Sequence, residues 1–185
     1  HGIIILSPKA IERISSYTPS WPIPKLFQIS KNNKLIDEIF EGATINTPSM
    51  MCIYDCIDSI NWANSIGGRD ALFKRVEENF NAITKFIENT PFLENLCIDK
   101  NFQSKTSVCF KIKNKNFELK PEDEQRSIIK KIVSMISVEN AGYDFANHKN
   151  APPSFRVWCG PTVETKDLEN LFLWIKWACN ELDIK

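Results

Sequence analysis

The chain has 185 residues, enough for one good-sized core or for one domain plus a piece of another. Its 23 basic and 23 acidic residues cancel, and no Lys/Arg cluster is interleaved with aromatics, which argues against nucleic acid as a partner. No apolar run approaches the roughly 20 residues that cross a bilayer, so no membrane partner is expected either. The chain begins at His1 rather than methionine, which reads as a fragment or a trimmed product.

In chain order, the near-continuous apolar run Gly2 to Leu6, closed by Ser7-Pro8, predicts a buried strand of a sheet covered on both faces, whose neighbours this chain does not supply. Residues 16 to 24 hold three prolines and form an extended loop, and Lys25 to Ile29 predicts another short strand. From Pro48 to Ile66, Ile53, Ile57 and Ile60 recur at helical spacing before Gly67-Gly68 ends the helix. Leu72, Val76, Phe80, Ile83 and Ile87 mark a second helix that stops before Pro91. A domain boundary is expected at the glycine pair, giving 1–66 and 67–185.

Beyond Pro91 the pattern is that of an α+β module. Val108, Phe110 and Ile112 alternate with Cys109, Lys111 and Lys113 as in a half-buried strand. The Lys/Asn-rich stretch Lys111 to Lys120 predicts a solvated turn. Pro121 followed by Glu122, Asp123 and Glu124 starts a helix with acids matched to its dipole, and Ile128, Ile129, Ile132 and Ile136 form its apolar face. Phe155, Val157 and Cys159 predict the inward side of a later strand, and Leu168, Leu171, Phe172, Ile175 and Leu182 the buried face of a closing helix. The expected result is an open sheet with helices packed on it. The six cysteines, Cys52, Cys56, Cys97, Cys109, Cys159 and Cys179, read as buried reduced thiols of a cytoplasmic protein. Cys52 and Cys56 share a helix face, but two ligands do not make a metal site, so no metal is expected.

Three places could hold chemistry. In Ile45-Asn46-Thr47-Pro48-Ser49, Thr47 can cap a helix whose first position is Pro48, and the N–H groups behind it, with the dipole, suit a phosphate; the same signature is also simply a cap. Alternation puts Arg156 and Trp158 on the strand face opposite Phe155 and Val157, after the rigid Pro152-Pro153 turn. A guanidinium held there offers two parallel donors to a carboxylate, or else stacks on Trp158 or pairs with a surface acid. His148-Lys149 is a basic pair in a loop, ordinarily solvated surface.

Taken together and in order, Tyr17-Thr18-Pro19-Ser20-Trp21-Pro22, Ile45 to Met50, Trp62 to Gly68 and Ala151 to Gly160 closely resemble the phosphoserine aminotransferase family, in its subgroup with a Tyr-Thr-Pro-x-Trp-Pro segment. The resemblance runs essentially from His1 to the C-terminus and covers the C-terminal half of a family member. It implies an α/β protein, the C-terminal part of a fold type I pyridoxal-phosphate-dependent transferase, with 1–66 as the end of the large domain and interdomain helix and 67–185 as the small α+β domain. The implied activity transfers an amino group between glutamate and 3-phosphohydroxypyruvate, in a homodimer, within serine biosynthesis. By the same resemblance, Asn46 and Thr47 reach the cofactor phosphate of the neighbouring subunit, His148 and Lys149 take the substrate phosphate, and Arg156 binds the α-carboxylate. Family members commonly have arginine where Lys149 stands, so a point charge replaces a bidentate fork. The family's Schiff-base lysine falls a few residues before His1. No catalytic residue is therefore assigned, and the chain by itself is expected to be inactive. The alternatives are an aminotransferase for an unphosphorylated substrate, such as serine or alanine with glyoxylate, and a non-catalytic dimerising half-domain.

Overall fold

The structure, a computed structural model, describes residues 3–184 and divides into two compact units, one running to Trp62 and the other starting at Ala63. The first unit departs most from the sequence reading. Ile3 to Leu6 form no strand, and Ile3 and Ile5 are 90% and 89% exposed: an apolar run with no ladder partner stays coil. Gly2 and His1 lie outside the described residues. Ser7-Pro8, read above as the end of a strand, starts helix α1 (Pro8–Ser16), with Ser7 Oγ accepting from the Ala10 N–H at 3.2 Å and proline at the first position.

The strand expected at Lys25 to Ile29 is instead a single 3-10 turn, Lys25–Phe27, because Pro24 presets a turn that the Phe27 N–H closes onto the Pro24 carbonyl at 2.9 Å. Pairing comes later, in the hairpin of β1 (Ser30–Lys31) and β2 (Lys34–Leu35). Its two turn residues, Asn32 and Asn33, sit at φ 52° and 59°, the doubly left-handed turn that suits strand twist and that asparagine tolerates. Helix α2 (Met50–Ser65) begins two residues later than expected. The Ser49 carbonyl accepts from the Ile53 N–H at 3.3 Å, so Ser49 rather than Thr47 stands at the cap, serine being as competent there and nearer the apolar run. No residue from 3 to 62 is buried.

The second unit holds the core. Gly67, at φ 112°, turns the chain out of α2 into α3 (Gly68–Glu88). Strands β3 (Leu93–Asn95), β4 (Ser107–Ile112) and β5 (Phe155–Trp158) form an antiparallel sheet in the order β3-β4-β5. Between β4 and β5 lie α4 (Lys115–Glu118) and α5 (Glu122–Val138), and α6 (Thr165–Glu181) closes the unit. The expected solvated turn at Lys111 to Lys120 thus contains a short helix: Asn114 Oδ1 accepts from the N–H groups of Asn116 and Phe117, which sends Phe117 into the core at 4% exposure.

Antiparallel register assigns the sheet faces. Leu93 pairs with Ile112, Val108 with Val157 and Phe110 with Phe155 on the buried face, while Glu94 with Lys111, Cys109 with Arg156 and Ser107 with Trp158 share the other. Helix α3 packs on β3 and β4, and α6 packs on both α3 and α5. Stacked Phe86 and Phe172, centroids 4.3 Å apart, join α3 to α6, and Phe110 lies 5.2 Å from Phe155 across the sheet. Ile132, Ile136 and Ile175 are fully enclosed.

Only two of the six cysteines are buried, Cys159 and Cys179; Cys52 and Cys56 are exposed, and Cys97 and Cys109 are half-buried, because the apolar residues around the first pair belong to a unit without a core. Burial pushes the Cys159 thiol up to about 11 and that of Cys179 up to about 12. Unfolding returns both to the ordinary 9.0, so the unfolded chain loses these protons first. The stability contributed by the protonated thiols is full below that value and is lost as pH rises through 11 to 12. Urea midpoints measured across this range should fall with pH, and fall less steeply in Cys159→Ala/Cys179→Ala; an equal slope in that variant would assign the effect to other groups.

Candidate functional site

The hairpin leading into β5 is held from within. Ala146 bridges to Phe155, and the Asn147 N–H donates to the Ser154 carbonyl at 2.9 Å. Asn147 Nδ2 donates to Ser154 Oγ at 2.8 Å, and Ser154 Oγ donates in turn to the Pro152 carbonyl at 2.7 Å. From α5, Arg126 Nη2 donates to the Ala151 carbonyl at 2.6 Å and also pairs with Glu122. This loop presents His148 and Lys149 to solvent. His148 Nδ1 accepts from the Asn150 N–H at 3.2 Å.

Arg156 emerges on the exposed sheet face, its backbone N–H fixed to the Phe145 carbonyl at 2.8 Å. Among the described residues no carboxylate lies within ion-pairing distance of its guanidinium. It lines a cleft of about 560 Å³ with Trp158, Tyr143, Asp144 and Asp167. Across the sheet, burial raises the Cys109 thiol, opposed by a hydrogen bond with Asn147 and by the charge of Arg156. Lys149 lines a different, smaller hollow of about 130 Å³, with Arg126 and Lys130 of α5, Pro152 and Ser154. Arg156 and Lys149 thus line different concavities.

Two residues of α3 that sequence reasoning passed over, Asn79 and Arg75, hold the segment that follows β5. Asn79 is fully buried on α3; its Nδ2 donates to the carbonyls of Cys159, Gly160 and Val163 at 3.3, 3.1 and 3.0 Å, and its Oδ1 accepts from Thr165 Oγ1 at 2.7 Å. Arg75 Nε adds a bond to the Pro161 carbonyl at 2.7 Å. The signal was there, since Asn79 sits on the apolar stripe between Val76 and Ile83, where an amide has to find internal partners. Gly160 lets the Trp158 indole fold back over the chain: a β-carbon at 160 would stand 2.1 Å from the ring. Asn46 and Thr47 lie in the first unit, exposed, just ahead of the first turn of α2.

Over 178 residues the chain is 42% identical to a phosphoserine aminotransferase of Methanosarcina mazei, a match that takes in 96% of this chain and 45% of that protein. The chain corresponds in sequence to part of a phosphoserine aminotransferase. It spans just under half the length of the curated relatives it matches. Among solved structures, phosphoserine aminotransferase from Bacillus circulans subsp. alkalophilus superposes with a TM-score of 0.63 at 16% identity, over 77% of this chain and 36% of that one. A phosphoserine aminotransferase structure concerned with radiation damage of its Schiff base gives 0.61 at 18% identity, over 84% of this chain and 40% of that one. These two likenesses establish the fold, a mixed helix-and-sheet module matching part of a phosphoserine aminotransferase. No protein-family model matches the chain.

Proposed function

We propose that this chain is the substrate-recognising part of a cytoplasmic, homodimeric phosphoserine aminotransferase, which passes an amino group between glutamate and 3-phosphohydroxypyruvate to give phosphoserine and 2-oxoglutarate. The observation that supports this most is Arg156: a guanidinium on a strand, ion-paired with no carboxylate among the described residues, lining an open cleft that Asp144 and Asp167 also line. Such a group takes a substrate carboxylate bidentately, and a carboxylate is common to glutamate and the phosphorylated partner. Lys149 supplies donors to the phosphate from the neighbouring hollow, joined by His148 of the same loop.

Asn46 and Thr47 fit pyridoxal phosphate as a donor set, an exposed amide and hydroxyl beside the unpaired first-turn N–H groups of α2, all suited to a phosphate. In the proposed dimer they hold the cofactor phosphate of the neighbouring subunit. When bound, the cofactor supplies the electron sink for the substrate α-carbon. This chain's own residues bind and orient: Arg156 fixes the carboxylate, and Lys149 and His148 fix the distal phosphate, so the carbon between them is held in register.

The test joins the chain to the sequence that completes it to the length of its relatives and measures each half-reaction separately. Arg156→Ala should lower kcat/KM by roughly tenfold to a hundredfold for both glutamate and phosphoserine, about 1.5–3 kcal/mol. Lys149→Ala should lower it mainly for phosphoserine. A completed protein that aminates 3-phosphohydroxypyruvate no better than glyoxylate would overturn the reading, and an equal loss with both substrates in Lys149→Ala would remove Lys149 from the phosphate subsite.

A further inference from the structure

Cys52 and Cys56 lie four residues apart on α2, both exposed and both free thiols. Residues at that spacing stand one above the other on a helix face, with β-carbons about 5–6 Å apart. A disulfide needs about 3.5–4.5 Å between β-carbons, so these two thiols cannot join directly while the helix persists. A single large atom placed between the sulfurs makes up the difference. Their face of the helix is completed by Ser49, Ser59 and Ile60, with Ile53 and Asp55 at its two edges, and Ser59 Oγ is committed to the Asp55 carbonyl at 2.7 Å. Among the described residues no group of three or more His, Cys, Asp or Glu could enclose a metal, which leaves two-coordinate sulfur chemistry as what this pair can do.

We propose that Cys52 and Cys56 form a dithiol clamp for trivalent arsenicals. Each thiol sulfur forms one bond to arsenic, the arsenic–oxygen double bond of the arsenical breaks, and the two thiol protons leave with that oxygen as one water molecule. No oxidant or reductant takes part. Thiolate sulfur and trivalent arsenic are both soft and polarisable, and the helix holds the two sulfurs side by side, so the second bond closes without reorganising the chain.

The probe is phenylarsine oxide, added to the reduced chain in excess glutathione so that single thiols are outcompeted. Intact mass should show one phenylarsenic group per chain, peptide mapping should place it on Cys52 and Cys56, and iodoacetamide labelling of both should fall at least tenfold, restored by dithiothreitol. Cys52→Ser and Cys56→Ser should each abolish the glutathione-resistant adduct. Cys56→Ser/Ser59→Cys keeps two exposed thiols on α2 but moves them seven residues apart, and should not hold the adduct; because these positions are exposed, circular dichroism should show helix content unchanged. The proposal is overturned if no glutathione-resistant adduct forms, if it maps to Cys97 or Cys109, if it survives in either single variant, or if the respaced pair holds it equally well. Diamide closing a Cys52–Cys56 disulfide with α2 still helical would equally contradict the spacing argument.

Discussion

Asn79→Leu should destabilise the second unit by about 2–4 kcal/mol, although leucine fills nearly the same volume and is the better helix former. One amide ties α3 to three carbonyls of the segment between β5 and α6 and accepts from Thr165. Leucine removes the donors and leaves the enclosed Cys159 carbonyl without a partner, while the Gly160 carbonyl keeps the Val163 N–H at 3.2 Å; a buried acceptor without a partner costs its full desolvation. Thr165→Val, which deletes a single bond of the same cluster, should cost about 1 kcal/mol. Chemical denaturation followed by near-ultraviolet circular dichroism separates the two. A stability for Asn79→Leu within about 0.5 kcal/mol of the parent would mean that water or a shifted loop satisfies the Cys159 carbonyl.

Phe110→Ala should have the larger effect, a loss of about 3–5 kcal/mol. Phe110 is wholly inaccessible in the central strand, edge-on to Phe86 at 6.4 Å and tilted against Phe155 at 5.2 Å, so its removal empties the point where α3, β4 and β5 meet. Its neighbours are anchored by sheet pairing and by the Phe86–Phe172 stack, which limits how far they can collapse into the space. Against a typical domain stability of about 5–15 kcal/mol, such a loss brings the unit close to unfolding at 37 °C. Leu119→Ala, at a position 85% exposed, is the control and should leave the midpoint unchanged. A loss for Phe110→Ala as small as the control's would show that the three elements are not packed around this ring.

The second unit was readable in the sequence because its elements are long and strongly patterned. β4 alternates over its whole length, and α3, α5 and α6 each carry a continuous apolar stripe. β3 escaped notice because Leu93-Glu94-Asn95 is too short to establish a period, and α4 because its signal is one Asn cap and one Phe among lysines and asparagines. In the first unit local chemistry overrode hydrophobicity. Ile3 to Leu6 had composition but no partner, whereas Ser7-Pro8 and Asn32-Asn33 encode their helix start and turn in two residues each. At the site, alternation was enough to find the face of Arg156. The separate hollow of Lys149 was not legible, since it depends on Arg126 and Lys130, some twenty residues upstream, coming alongside the loop.

Gly160 and Trp158 are bound into one unit of inheritance. A β-carbon at 160 would fall 2.1 and 2.5 Å from two indole carbons, and the ring would have to leave its place over the chain. Neither position can drift freely while the other stays as it is. A double-mutant cycle states this as epistasis: Gly160→Ala is harmful beside tryptophan and close to silent beside Trp158→Ala, where no ring remains to be displaced.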